Sequence, residues 1–285
     1  MGELVYLNGW VGPFEEALIS VNDRGYNFGD GVYEVIRVYD GVMFALEDHL
    51  KRLEASAAAV EIDLPWDRRQ LAGIARDVLC GSGIGEAMVY MQVTRGIAPR
   101  NHLFDPDIKP GLLVTVRNVP EMSPSIYSQG VKVITQQEFR WQMCNVKSIS
   151  LQGAVLAKHR ARKAGAAEAV FVLPDGTVTE CGASNIFIVK NGVLMTHPAD
   201  NRILAGITRQ YVLELAESMG LPARVEPFKL TDLLAADEVF FTGSVVEIAP
   251  VVTVDGKQVS DGRPGPLTER IRREFISLSR KKADN

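Results

Sequence analysis

Cysteine is scarce in this chain, and its three residues, Cys80, Cys144 and Cys181, lie far apart with no CxxC pair. Neither a disulfide framework nor a thiolate zinc site is expected. Histidine is nearly as rare: His49, His102, His159 and His197 stand at unrelated spacings and no HExxH occurs, so no metal site is expected. Charge of one sign is not in excess. The net charge is -4, and the basic residues are scattered apart from Arg280-Lys281-Lys282, which reads as a solvated end. Nothing electrostatic points to nucleic acid or an anionic membrane surface as partner. No apolar run reaches bilayer length. The start, Met1-Gly-Glu-Leu-Val-Tyr-Leu, lacks the basic region and long apolar stretch of a signal peptide. A reducing cytoplasm is the expected location. There is no GxxxxGK[ST] phosphate loop and no GxSxG elbow, and Gly81, Gly83 and Gly85 follow a helix without completing GxGxxG. These absences argue against P-loop, serine-hydrolase and nicotinamide chemistry.

What is present is an interleaving of strands and helices without repeats. Gly31 to Tyr39 is rich in β-branched and aromatic residues, and Asp40-Gly41 followed by Val42 to Ala45 predicts a hairpin. Asp48 is placed to cap a helix from His49 to about Val60, and a second helix is predicted from Asp67 to Leu79. Strands follow at 87–94 and 112–117. Two prolines and their polar neighbours then suggest a linker at 118–128, between an N-terminal α+β domain (1–117) and a larger C-terminal domain (129–285). The second half reads as strand 131–135, helix 151–163 ended by Gly165, strands 169–173 and 185–189, and a long helix from Gly206 to Gly220. This is a two-domain α+β chain rather than a regular βαβ wind.

Four places could carry chemistry. Lys147 lies in Cys144-Asn-Val-Lys-Ser-Ile-Ser150; a lysine in a partly desolvated place loses pKa and becomes an amine nucleophile, although a solvated loop lysine would look the same. Leu204-Ala-Gly-Ile-Thr208 opens a helix with glycine and a hydroxyl residue, a geometry that holds an anion or serves as an ordinary cap. Phe241-Thr-Gly-Ser244-Val is a strand opening into a polar turn, whose amides and hydroxyls suit a phosphate or simply make a β-turn. Glu180 precedes Ile186-Phe187; if buried it needs a cationic or hydrogen-bonding partner such as a pyridine nitrogen, and otherwise it is a turn acid.

In order and spacing these clusters resemble the class IV aminotransferases. Asp23-Arg-Gly-Tyr-Asn-Phe-Gly-Asp-Gly-Val-Tyr-Glu34 is similar to the family's N-terminal signature, and His49-Leu-Lys-Arg-Leu53 to its phosphate-arginine helix. Lys147, Glu180-Cys-Gly-Ala-Ser-Asn185, Gly206-Ile-Thr208 and Glu247-Ile-Ala-Pro250 complete the set, which spans almost the whole chain. The resemblance implies the family's two-domain fold and pyridoxal 5'-phosphate as cofactor. Lys147 would join it as a Schiff base and act as the catalytic base. Glu180 would pair with the pyridine nitrogen. Arg52, the amides of Ile207 and Thr208, and Ser244 would hold the phosphate, and Leu204 would pack on the ring. Arg52 borders the apolar stripe Leu50, Leu53, Ala57 and Val60 and so can reach inward.

Within the family the chain most resembles the D-amino-acid transaminases. The segment Gly96-Ile-Ala-Pro-Arg100-Asn-His102-Leu-Phe104 is similar to their carboxylate trap, in which an arginine, a histidine and the signature tyrosine (here Tyr33) grip the substrate. A guanidinium matches a carboxylate with a planar fork. In those enzymes the loop comes from the other subunit, which implies a homodimer. Branched-chain relatives tend instead to carry an arginine on the preceding strand, where Gln92 and its neighbours stand here, although Arg37 resembles a branched-chain feature. Cys181-Gly182-Ala183 replaces the run of serines usual after the glutamate. The expected reaction is amino transfer between D-amino acids, such as D-alanine and D-glutamate, and the 2-oxo acids pyruvate and 2-oxoglutarate. The alternatives are a branched-chain L-amino-acid aminotransferase, an (R)-amine transaminase and an aminodeoxychorismate-lyase-like enzyme.

Overall fold

The computed structural model describes residues 2–281. These divide into two compact units, one of residues 2–120, 146–151 and 279–281, the other of 121–145 and 152–278.

The first unit contains β1 (Leu4–Leu7), β2 (Trp10–Gly12), α1 (Arg24–Phe28), β3 (Gly31–Tyr39), β4 (Val42–Met43), α2 (Leu46–Ala59), α3 (Arg68–Ser82), β5 (Ala87–Thr94) and β6 (Gly111–Asn118). Its sheet runs β2-β1-β6-β5-β3-β4, antiparallel throughout. The two-residue period of β3 sends Val32, Glu34, Ile36 and Val38 inward and leaves Tyr33, Val35 and Arg37 half-buried. Leu46, Leu50, Leu53 and Ala57 of α2 and Leu71, Ala75 and Val78 of α3 recur at helical spacing and join the inward strand residues in one core. Leu50, Leu53 and Leu71 are fully buried, each contributing about 1.5–3 kcal/mol.

Asp48 does not cap α2. The helix begins at Leu46 with Ala45 at the N-cap in the left-handed region (φ 54°), which puts Asp48 in the first turn, where its charge suits the helix dipole. Residues 146–151, sequentially in the second half, pack with the first unit because they pair with β3. Tyr33 N donates to Lys147 O (2.9 Å), Ile149 N donates to Gly31 O (3.0 Å), and Val32 and Ser148 form an antiparallel bridge. Arg280 is not simply solvated: it bonds Asp40 at 2.9 Å. Lys282, of the same basic run, lies outside the described residues.

The second unit contains α4 (Ser125–Ser128), β7 (Val131–Gln137), α5 (Gln152–Lys163), β8 (Glu168–Val172), β9 (Thr177–Cys181), β10 (Asn185–Lys190), β11 (Val193–Thr196), α6 (Ile207–Ser218), β12 (Ala223–Val225), β13 (Phe228–Lys229), α7 (Leu230–Leu234), β14 (Glu238–Gly243), β15 (Glu247–Val254) and β16 (Lys257–Gln258), and most of α8 (Pro266–Lys281). The sheet order is β12-β11-β10-β14-β15-β7-β8-β9-β13, with β16 on β15. Pairing is mixed, parallel at β15–β7, β7–β8 and β11–β12. Strands β8, β9 and β14 are buried almost end to end, as strands covered on both faces are. The start of α8 is held by Glu238, which accepts from Leu267 N (3.0 Å) and from Thr268 N and Oγ1 (2.7 Å each).

Candidate active site

Lys147 sits where the 146–151 segment pairs with β3. Its amide donates to Ser56 Oγ at 3.1 Å, and its Nζ lies 4.3 Å from the centre of the Tyr33 ring. A cation over an aromatic face is favourable. Tyr33 stacks on Tyr90 with ring centres 5.5 Å apart, and the Tyr90 hydroxyl donates to Gln92 Oε1 at 2.6 Å. Gln92 is the register partner of Tyr33.

Arg52 reaches inward from α2 onto Glu34. Its Nε donates to Glu34 Oε1 at 2.7 Å and its second terminal nitrogen to Oε2 at 2.8 Å, a two-point pairing, while His49 Nδ1 lies 2.7 Å from Oε2. Burial alone would raise the Glu34 carboxyl, but Arg52 and then His49 outweigh it and hold the pKa at about 2. Burial pushes the His49 imidazole down, against the pull of Glu34. Glu34, the partner of the candidate site residue Arg52, was not singled out in the sequence reading. Its signal was a carboxylate at an inward position of β3, between Val32 and Ile36, which demands a cation.

Arg100 and His102 are exposed on the loop between β5 and β6. Both lie against Phe28, the Arg100 guanidinium 5.1 Å from its ring centre and the His102 ring 5.6 Å away. Among the described residues no hydrogen bond or ring contact joins either to Tyr33.

In the second unit Glu180 is buried, not a turn acid. Oε1 accepts from Arg140 at 2.7 Å, and Oε2 accepts from Asn185 Nδ2 and Leu204 N at 3.0 Å each. Burial outweighs these partners and raises its pKa to about 7. Arg140, also missed in sequence, is shared with Glu138 and lies over Phe171. A second cationic group beside Glu180 would restore its ordinary acidity.

Gly206 is the N-cap of α6 and has no side chain to satisfy the first-turn amides, which leaves those of Ile207 and Thr208 for an anion. A Cβ at Gly206 would lie 1.9 Å from Asn185 Oδ1, so the close approach requires glycine. Ser244 is half-buried in the turn from β14 to β15. Next to that turn, Thr242 Oγ1 is buried without a partner. These features fit a phosphorylated, nitrogen-protonated ring. Leu204 is half-buried and its carbonyl accepts from Asn185 at 2.8 Å. Among the described residues no group of three or more His, Cys, Asp or Glu side chains could hold a metal ion, and no helix is long and apolar enough to cross a membrane.

A family model described as amino-transferase class IV matches residues 31–254. A D-alanine aminotransferase from Listeria monocytogenes serotype 4b (strain F2365) is 43% identical over 275 residues, covering 95% of this chain and 94% of that protein. Among solved structures, a branched-chain amino acid aminotransferase from Escherichia coli has a TM-score of 0.92 at 27% identity, covering 98% of this chain and 95% of that one. Another, from T.th. and solved with pyridoxamine 5'-phosphate, also has a TM-score of 0.92 at 27% identity, covering 98% and 94%.

Proposed function

Because this chain belongs to the class IV aminotransferases, we propose that it moves amino groups between D-amino acids, such as D-alanine and D-glutamate, and 2-oxo acids such as pyruvate and 2-oxoglutarate, with pyridoxal 5'-phosphate as cofactor. The observation that carries the D-specific reading is the placement of Arg100 and His102 together, exposed and against one Phe28 ring, on a loop beside a sheet that carries Gln92 rather than arginine opposite Tyr33. The named activity of the Listeria relative supports it. The branched-chain names of the structural neighbours keep the L-specific reading as second. Arg37, the feature that favours it, is engaged by Glu86 at 2.5 Å and by the carbonyls of Val38 and Ala87.

The bound cofactor supplies the electron sink for loss of the Cα proton. Lys147 Nζ would hold the cofactor and would then take the proton from the substrate Cα. Glu180 would pair with the cofactor's ring nitrogen and hold a proton there. The Ile207 and Thr208 amides, Ser244 Oγ and Arg52 would hold the phosphate, and Leu204 would support the ring. Arg100, His102 and Tyr33 grip the α-carboxylate. Since no hydrogen bond or ring contact among the described residues joins Tyr33 to the other two, the reading includes a homodimer whose subunits exchange this loop. It also includes a cytoplasmic location.

A spectroscopic half-reaction tests the reading. The purified protein should absorb visible light, D-alanine should bleach that band and 2-oxoglutarate should restore it. Bleaching by L-leucine but not D-alanine would overturn it in favour of the second reading.

A further inference from the structure

Arg24 and Arg95 are buried guanidiniums, 4% and 5% exposed, that share one carboxylate and have no part in the chemistry above. Asp30 Oδ2 accepts from Arg24 Nε at 2.8 Å and from Arg95 Nε at 2.9 Å. A guanidinium carries five donors in a fixed plane, so fixing Nε aims the outer nitrogens. Those of Arg95 donate to the carbonyls of Glu61 and Val60 at 2.7 Å each, anchoring the pair to the end of α2. Those of Arg24 point the other way, to the carbonyls of Asn101 (2.6 Å) and His102 (3.4 Å). Phe104 of the same loop lies 3.8 Å from the Arg95 guanidinium and 5.7 Å from that of Arg24. Arg24 is also 4.9 Å from Phe28, the ring that Arg100 and His102 lie against.

We propose that Arg24, braced by Asp30, is the positioning residue of the carboxylate grip. It fixes the main chain at Asn101 and His102 and the Phe28 platform, and so the direction of Arg100 and His102. Arg24 touches neither substrate nor cofactor; it sets donor selection through the loop. The inference rests on the reading of Arg100 and His102 as the groups that bind the substrate carboxylate. A directional charge-assisted bond loses most of its value when its donor shifts, since a misplacement of about 1 Å can cost on the order of 100-fold.

The test is a double-mutant cycle on the D-alanine half-reaction of the holoenzyme, with thermal melting to check the fold. Arg24→Met should raise the apparent Kd for D-alanine by about tenfold while the limiting rate changes by less than about threefold, because only positioning is lost. Arg100→Ala should do at least as much, and Arg24→Met/Arg100→Ala should be no worse than Arg100→Ala alone, because coupled residues are not additive. Fully additive losses, or an unchanged Kd in Arg24→Met, would overturn the role of Arg24 while leaving that of Arg100 standing. An unchanged Kd in Arg100→Ala would overturn the carboxylate reading and this inference with it. If Arg24→Met does not fold, Phe28→Leu, which spares the Asp30 ion pairs, should raise Kd alone and should add nothing to Arg100→Ala. An unchanged Kd in Phe28→Leu, or additivity with Arg100→Ala, would then overturn the proposal.

Discussion

Burial raises the cost of a charge on Glu34 and on Glu180, yet the two carboxyls titrate far apart because their partners differ. Glu34 receives a two-point bond from Arg52 as well as His49, and its pKa falls to about 2. A depressed carboxyl contributes stability that is complete above its unfolded value near 4.5 and is lost as pH falls through 2. Glu34→Gln leaves Arg52 without its counter-charge, and the expected loss near neutral pH is on the order of 3–5 kcal/mol. Urea unfolding of the cofactor-free chain at a series of pH values should show that the gap to wild type narrows below pH 4.5. A gap independent of pH would contradict the assignment. Glu180 behaves oppositely: burial outweighs Arg140 and raises its pKa to about 7. Glu180→Gln cannot supply the charge. A hydrogen bond to a charged group contributes about 1.5–3 kcal/mol, so the half-reaction with D-alanine should slow by about 10–150-fold. Substrate Kd should change less. An unchanged single-turnover rate would remove Glu180 from the chemistry. Glu34 was within reach of the sequence, through its inward position on an apolar strand, whereas Arg140 stands forty residues from Glu180 and no local pattern joins them.

At the scale of elements, the segment entering α6 shares one network with Asn185 and Glu180, because Asn185 donates to both Glu180 and the Leu204 carbonyl and Leu204 N donates to Glu180. Gly206→Ala replaces a favoured N-cap residue with a poor one and puts a methyl group 1.9 Å from Asn185 Oδ1. The expected result is weaker cofactor binding, by about tenfold or more, with a smaller effect on the melting of the cofactor-free chain. Equilibrium dialysis against pyridoxal 5'-phosphate measures it, and unchanged affinity would contradict the network. Periodicity makes most strands and helices legible, since 31–39, 87–94 and 207–218 each bury one face or stripe. The start of α2 is not legible in the same way, because Asp48 has the chemistry of a cap while the chain turns earlier through a left-handed Ala45. Helix α8 is hidden for another reason. Its buried Ile271 and Phe275 sit within a dense run of charges that masks the apolar stripe.

For the whole molecule, Tyr33 and Lys147 meet within one chain, whereas Arg100 and His102 face outward from it. If the loop serves the partner subunit, Lys147→Ala and Arg100→Ala chains, each impaired alone, should regain activity when unfolded and refolded together, because the hybrid has one site with both residues intact. Activity no greater than the average of the two separate proteins would place both residues of each site in a single chain. The family was legible in the sequence because it rests on several separated clusters in register. The ion-pair networks around Asp30, Glu34 and Glu180 were not, since each joins segments that only the fold brings together. The chirality of the donor decides between the D-specific and branched-chain readings. With 2-oxoglutarate as acceptor, kcat/KM should be higher for D-alanine than for L-leucine, and Arg100→Ala should lower the D-alanine value by about 10–150-fold. A wild-type enzyme that prefers L-leucine would contradict the D-specific assignment.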